Sequence, residues 1–167
     1  MSIFTRLLAS RLPKGARERA GVPDGERVLA WAPDQRDPSQ FVIATDQAIH
    51  SKGTSIPWER IIRAQWDEPF LELIVERPGG GAQRLRIPLS QPQLLPAAVR
   101  TQVTANVVVS ERLTLPDGSQ ALAAARRAGK DAITWTVVFD DGVDAADPQI
   151  RAQADLALAE LRDALGI

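Results

Sequence analysis

The stretch Ser55-Ile56-Pro57-Trp58-Glu59-Arg60-Ile61-Ile62 decides how the chain is interpreted, because it leads into a segment with clear strand periodicity. Proline fixes φ and has no N–H, so Pro57 suits the entry or edge of a strand rather than the middle of a central one. Residues 61–66 then alternate between buried and exposed character, with Trp66 on the buried face. The stretch is therefore predicted to be a structural step, with Trp58 and Glu59 as candidate contact residues.

The same alternation recurs along most of the chain and predicts a sheet-rich protein. The expected strands cover residues 27–32, 41–45, 48–51, 61–66, 70–76, 85–89, 107–115, 120–127 and 133–139. On the last of these, Ile133, Trp135, Val137 and Phe139 are expected to face inward. Consecutive runs are joined by short polar or glycine-containing turns, which favours antiparallel hairpins.

Helical signals occupy three places. The first begins near Ser2 and ends before Pro13, and a polar linker is expected after it. A second helix is predicted over residues 92–103. The third is the clearest, since Asp147 can cap it, Pro148 suits its first turn and Gly166 follows its end. Its apolar residues recur at steps of three and four, which predicts a helix that covers a sheet; they are Ile150, Ala154, Leu158, Leu161 and Leu165.

The segment around the opening stretch resembles a known family. An apolar strand ends in Thr45-Asp46, a return strand follows, and Ile56-Pro57-x-x-x-Ile61 leads into the next strand. This order over residues 26–89 resembles the bacterial pleckstrin-homology-like and GRAM-like domains. The resemblance implies a strongly bent antiparallel sheet or partly open barrel capped by a helix, with a binding or scaffold role.

Two features depart from that family. Three further strands and a second helix follow the helix at residues 92–103, where the family's capping helix normally closes the domain. The loop at residues 32–38 holds two acids and one arginine, whereas the lipid-binding version of the family carries a basic cluster there. The expected fold class is α+β, with a PH-like sheet capped by a C-terminal amphipathic helix. Residues 1–20 are expected to form a basic helical arm and residues 26–167 a single domain, with a subdivision allowed near residues 90–105.

Composition excludes several function classes. The chain has no cysteine, so disulfides, thiolate metal sites and cysteine nucleophiles are absent. A formal net charge of −1 argues against nucleic-acid binding, which favours a basic field. No apolar run approaches the roughly 20 residues that span a bilayer, and the first residues lack the pattern of a signal peptide. A cytoplasmic location is expected.

Catalytic and metal-binding signals are weak. His50 is the single histidine, and its neighbour Ser51 is expected on the opposite face of a strand, so the two do not form a nucleophile–base pair. The acids in the segment 140–147 suggest calcium superficially, but their spacing is not that of an EF-hand loop. A turn followed by the Asp147 helix cap explains them better. We expect no enzyme activity, no cofactor and no metal.

The N-terminal arm is the most function-like feature of the sequence. Residues 1–20 hold five basic residues against one acid, while residues 140–167 hold seven acids against two arginines. Phe4 lies beside Arg6 and Arg11 in an amphipathic pattern that suits either packing and self-association or contact with an anionic membrane.

These observations lead to two functional hypotheses. The first is a non-enzymatic protein-interaction or scaffold module that binds a partner at an open sheet edge, either the first strand or the strand beginning at Ile61. The second is a peripheral membrane adaptor that uses the basic N-terminus.

Overall fold

The computed structural model describes residues 11–78, 81–128 and 132–166 and is mixed α+β. Three antiparallel sheets and a long C-terminal helix make up most of it, and no sheet closes into a barrel within these ranges. The chain divides into two compact units. The first contains the described residues of Met1–Val75 together with Arg84–Ala105, and the second contains those of Glu76–Gln83 and Asn106–Ile167.

The first sheet has four strands in the order β1-β2-β3-β4, so each strand pairs with its neighbour in sequence. These strands are β1 (Val28–Pro33), β2 (Phe41–Thr45), β3 (Ala48–Ser51) and β4 (Thr54–Pro57). The turn after β2 depends on Thr45, whose hydroxyl oxygen accepts the N–H groups of Gln47 and Ala48, both at 3.1 Å. This local bonding explains why a strand ending in Thr-Asp turns back on itself.

The second sheet has three strands in the order β5-β6-β7, which leaves β5 at one edge. They are β5 (Ile61–Asp67), β6 (Phe70–Glu76) and β7 (Ala82–Pro88), and the helix α2 (Leu95–Asn106) follows them. The predicted faces of β5 are confirmed, since Ile62 is buried while Arg63 and Gln65 are exposed. A bulge between Ile61 and Arg63 shifts the register with β6.

The opening stretch carries the chain from one sheet to the other. Residues 54–57 form β4, an edge strand that the sequence did not predict, and a single 3-10 turn, Trp58–Arg60, leads directly into β5. Pro57 ends β4, so its missing N–H costs no central ladder bond. Trp58 is only 2% exposed and its indole Nε1–H donates to the carbonyl oxygen of Thr45 at 3.0 Å. The expectation that Trp58 belongs to a contact surface is therefore wrong, because the ring fills the core beneath the turn.

One hydrophobic core lies within the first unit, and strands of both sheets and α2 contribute to it. It contains small residues from β1 and β2, leucines and valine from β6, and three apolar residues of α2; these include Ala32, Val42, Leu71, Leu73, Val75, Leu95, Val99 and Val103. Trp66 and Ala64 are half-buried and pack against this core. Burial of an apolar side chain of this kind contributes about 1.5–3 kcal/mol.

The short helix α1 (Ala16–Ala20) covers the other face of the first sheet. Ala16 and Ala20 are fully buried in a second cluster with Phe41 and Ile43. Gly21 ends the helix at φ +76°, and a Cβ there would lie 2.9 Å from the Cα of Gly53. The linker predicted after the N-terminal arm follows this helix, over residues 21–27, and the separate helix itself was not predicted. With five residues, α1 is too short to give a periodic pattern of apolar residues in the sequence. The predicted helix near Ser2 lies outside the described residues.

The second unit contains a three-stranded sheet in the order β10-β9-β8 and a helix. Its elements are β8 (Val107–Thr114), β9 (Gln120–Ala128), β10 (Ala132–Phe139) and α3 (Pro148–Leu165). The predicted cap of α3 is confirmed, because the Asp147 side chain accepts the N–H of Gln149 at 2.8 Å. Gly166 adopts φ 69° at the other end of the helix. None of the described helices is long and apolar enough to span a bilayer.

The apolar faces of this unit are less buried than the sequence predicts. On α3 only Ala154 is fully buried, and Leu165 is 44% exposed. On β10 the expected inward residue Ile133 is 42% exposed, whereas Thr136 is buried. Ile133 and Thr136 lie on opposite faces of β10, and alternation alone does not reveal which face is covered. In addition, a polar side chain is buried where it has partners, and Thr136 has two.

Candidate functional site

A groove with a volume of about 710 Å³ lies between β5 and α2 in the first unit. One wall is the edge strand β5, which contributes residues 63 to 66, and the other is the first part of α2. Leu71 lies at its base and the loop containing Gln93 closes one end. Among the described residues β5 pairs only with β6, and a groove alongside such a strand edge can accept a further strand, because the strand still offers backbone hydrogen-bonding groups.

The groove carries positive charge and a half-buried aromatic ring. Arg63 on β5 and Arg100 on α2 both line it, and its lining residues include no acid. Trp66, which lies between the two arginines in the sequence, contributes an aromatic ring to the lining, and Gln65 contributes a side-chain amide. Both arginines are exposed. The groove thus combines an apolar surface with two cations, as ligand-binding sites commonly do.

The two arginines differ in how they are held. Arg63 donates one hydrogen bond to the Oε1 atom of Gln65 at 3.3 Å, which orients the guanidinium along the strand. Arg100 has no hydrogen bond or ion pair to another described residue. A guanidinium has five N–H donors, so both side chains retain donors for a ligand.

The loop before α2 shapes the end of the groove. Gln91 and Gln93 adopt φ values of +49° and +47°, in the left-handed region that residues other than glycine rarely occupy. Leu95 N–H donates to the carbonyl of Pro92 at 3.0 Å, which starts the helix. This bonded turn sets the start of α2 opposite β5, so the width of the groove depends on backbone geometry as well as side chains.

The residues selected from the sequence do not form this site. Trp58 is buried, while its neighbour Glu59 is exposed on the 3-10 turn. Arg11 is exposed, and Phe4 and Arg6 lie outside the described residues. Leu12 packs against the cluster beneath α1. Sequence reasoning missed the groove residues Trp66 and Arg100. The outward position of Arg63 on an edge strand was the one available signal.

Two basic residues of α1 are engaged within the first unit. Arg17 donates to the carbonyl oxygens of Pro23 and Glu26 at 2.6 and 2.7 Å. Arg19 donates to the carbonyl of Ser39 at 3.1 Å and stacks over the ring of Phe41. These bonds fix the segment on the sheet, so this part of the basic arm has a structural use.

His50 lies in a buried polar cluster. Its Nε2 atom is 2.7 Å from Oε2 of Glu26, and the hydroxyl of Thr45 donates to the same oxygen at 2.6 Å. His50 and Thr45 are both fully buried, so a substrate cannot reach either side chain without local opening. The cluster ties the segment before β1 to β2 and β3, which agrees with a structural role for His50.

The β1–β2 loop contains a second polar cluster around Asp34, whose side chain is fully buried. Asp34 accepts hydrogen bonds from the backbone N–H and guanidinium of Arg36 and forms an ion pair with Lys52 at 3.4 Å. Burial acts to raise the pKa of Asp34, but the Arg36 hydrogen bonds and the charges of Arg36 and Lys52 outweigh it, so the pKa lies below its ordinary value of 3.8. The side chains of Arg36 and Lys52 are therefore both directed towards the buried carboxylate of Asp34.

The acidic segment 140–147 has ordinary structural uses. Asp140 forms an ion pair with Arg112 at 2.9 Å, and Asp144 accepts the N–H of Ala146 at 2.9 Å. No group of three or more metal-binding side chains occurs among the described residues. The turn-and-cap interpretation accounts for the bonds of Asp144 and Asp147, whereas the Asp140 side chain pairs with Arg112.

The second unit contains its own buried polar cluster. Arg126 is 1% exposed and donates to Glu76 Oε2 at 2.7 Å and to the Thr136 hydroxyl at 2.8 Å. Thr136 in turn donates to Glu76 Oε1 at 3.0 Å. The ion pair with Glu76 and the hydrogen bond to Thr136 offset part of the cost of burying this guanidinium.

Comparison of the chain with protein-family models, curated protein sequences and solved structures finds no match.

Proposed function

We propose that the chain is a non-enzymatic protein-interaction module that binds an extended segment of a partner by adding it as a strand to β5. The observation that carries the proposal is the groove itself, in which an edge strand and α2 face each other across about 710 Å³. In strand addition, backbone hydrogen bonds supply affinity and the groove walls select side chains. Here Trp66 and Arg100 would supply that selection.

We also propose a PH-like arrangement for the first unit. Support comes from two antiparallel sheets and α2 contributing to one core, which is the arrangement implied by the resemblance at residues 26–89. The helix that would close such a domain is then α2, and the second unit is an addition to it. The neutralised β1–β2 loop at Asp34 favours a protein partner over a phosphoinositide.

The experiment is a selection of peptides from a random display library on the full chain, followed by affinity measurements with synthetic copies. Ala97 is exposed on α2 and lines the groove. Ala97→Trp should fill the groove and weaken binding by at least tenfold. Ala105→Trp is the matched control, because Ala105 is exposed on the same helix and does not line the groove.

A second measurement tests the mode of binding. N-methylation of single peptide bonds in a selected ligand removes one backbone donor at a time. Strand addition predicts losses at every second position, because alternate N–H groups of an added strand face the neighbouring strand. Equal affinity of the Ala97→Trp and Ala105→Trp variants, or losses without a two-residue period, would contradict the proposal.

A further inference from the structure

The side chains along β5 specify which kind of extended segment the groove can take. Successive residues of a strand point to opposite faces, and a strand added at the edge places its own side chains in the same alternation. On β5 the polar side is Arg63 and Gln65, and the apolar side is Ala64 and Trp66. Side chains of an added strand would therefore meet a cation and an amide on one face, and a small apolar surface with an indole ring on the other.

The charge of the groove determines the sign of the partner. Both charged residues in its lining are arginines, Arg63 and Arg100, and they lie on opposite walls. A carboxylate accepts hydrogen bonds from guanidinium donors in a matching planar geometry, whereas a lysine opposite them is repelled.

We infer that the groove binds extended protein segments in which acidic and apolar residues alternate, with the acidic residues beside Arg63 and the apolar residues beside Trp66. This inference rests on the strand addition proposed above and adds the sequence pattern of the partner to it. Two neighbouring features support this inference. The side chains of the edge strand β5 alternate with a period of two residues, and the adjacent helix α2 contributes a second cation to the groove.

The test compares four acetylated eight-residue peptides on the full chain by fluorescence anisotropy. Three alternate valine with glutamate, glutamine or lysine, and the fourth has the glutamate–valine composition arranged in pairs. The alternating glutamate peptide should bind most tightly, with the lysine peptide at least tenfold weaker. Its affinity should fall as sodium chloride is raised, because exposed charges are screened within about 10 Å at 0.1 M salt.

Variants then assign the charge preference to the two arginines. Arg63→Gln and Arg100→Gln should each weaken the glutamate peptide about twofold to fivefold, as expected for exposed ion pairs. The double variant Arg63→Glu/Arg100→Glu should reverse the order, so that the lysine peptide binds better than the glutamate peptide. A general loss of structure would weaken all peptides and would not exchange their order.

The outcomes separate this inference from the proposed function. If all alternating peptides bind equally and Ala97→Trp abolishes their binding, the groove adds strands without regard to charge and the inference is wrong. The inference is equally overturned if the glutamate peptide fails to bind while library-selected peptides bind the groove. If Ala97→Trp and Ala105→Trp never differ for any peptide, strand addition at β5 fails and the inference fails with it.

Discussion

Replacing Trp58 by alanine should destabilise the protein more than replacing Trp66, and the difference follows from where each ring lies. Trp58 is 2% exposed and donates a hydrogen bond to the Thr45 carbonyl, whereas Trp66 is half-buried at the groove. A buried tryptophan removes about 150–250 Å² from water. At about 25 cal/mol per Å² this corresponds to roughly 4–6 kcal/mol of transfer free energy.

The expected loss for Trp58→Ala is about 3–5 kcal/mol, the range found for buried aromatic residues replaced by alanine. Trp66 stays partly exposed to water at the groove, so Trp66→Ala should cost less than Trp58→Ala, about 2–3 kcal/mol. Trp58→Phe separates the components, because it keeps most of the ring and removes the bond to Thr45, at a cost of about 1–2 kcal/mol.

The assay is urea unfolding followed by far-UV circular dichroism, with the denaturant dependence fitted for each variant. Unchanged m-values would indicate that the native and unfolded states expose the same surface and that the free energies can be compared. Equal losses for Trp58→Ala and Trp66→Ala, or a larger loss for Trp66→Ala, would refute the burial argument. A Trp58→Phe variant as stable as the parent would refute the role of the indole N–H.

Three further substitutions test the polar clusters. Asp34→Asn should lower the free energy of unfolding by about 1–2 kcal/mol at pH 7, as measured by urea melts. Because the pKa of Asp34 is lowered in the folded state, the greater stability of the parent should be present above pH 3.8 and should disappear as the pH falls below it. Glu26→Ala should cost about 1–3 kcal/mol, because His50 Nε2 loses its buried partner, and a melting temperature equal to that of the parent would contradict this. Arg126→Ala should lower the free energy of unfolding by about 2–4 kcal/mol, slightly below the full range for a broken buried ion pair, because Glu76 is 27% exposed. Calorimetry measures this loss, and Arg126→Lys should recover part of it.

Features that depend on neighbours in sequence could be predicted, and this covers most of the secondary structure. The hairpin between β2 and β3 follows from Thr45 and two adjacent amides, and the α3 cap follows from Asp147 and Gln149. Alternation over residues 62–66 assigned the faces of β5 correctly. In each case the deciding interaction spans four residues or fewer, or repeats along one element.

Features that depend on contacts between distant residues could not be predicted. The burial of Trp58 requires the Thr45 carbonyl, 13 residues away in sequence, and the partner of His50 is 24 residues away. The groove combines β5 with a helix that starts at Leu95. Ile133 shows the opposite error, because alternation identifies the two faces of a strand without revealing which of them is covered, and on β10 the buried Thr136 lies on the other face.

The arginine on β5 has an alternative explanation, because proteins often place charges and bulges on edge strands to prevent unwanted pairing. Arg63 follows a bulge on such a strand, so protection alone would account for it. Protection of the strand edge does not account for Arg100, because Arg100 lies on α2 and faces β5 only as part of the groove lining. If Arg63 only protects the edge, Arg63→Gln should increase self-association, and Arg100→Gln should leave peptide affinity unchanged. If the groove is a binding site, both substitutions should weaken the same acidic peptide, and the loss at Arg100 is the result that distinguishes the two roles.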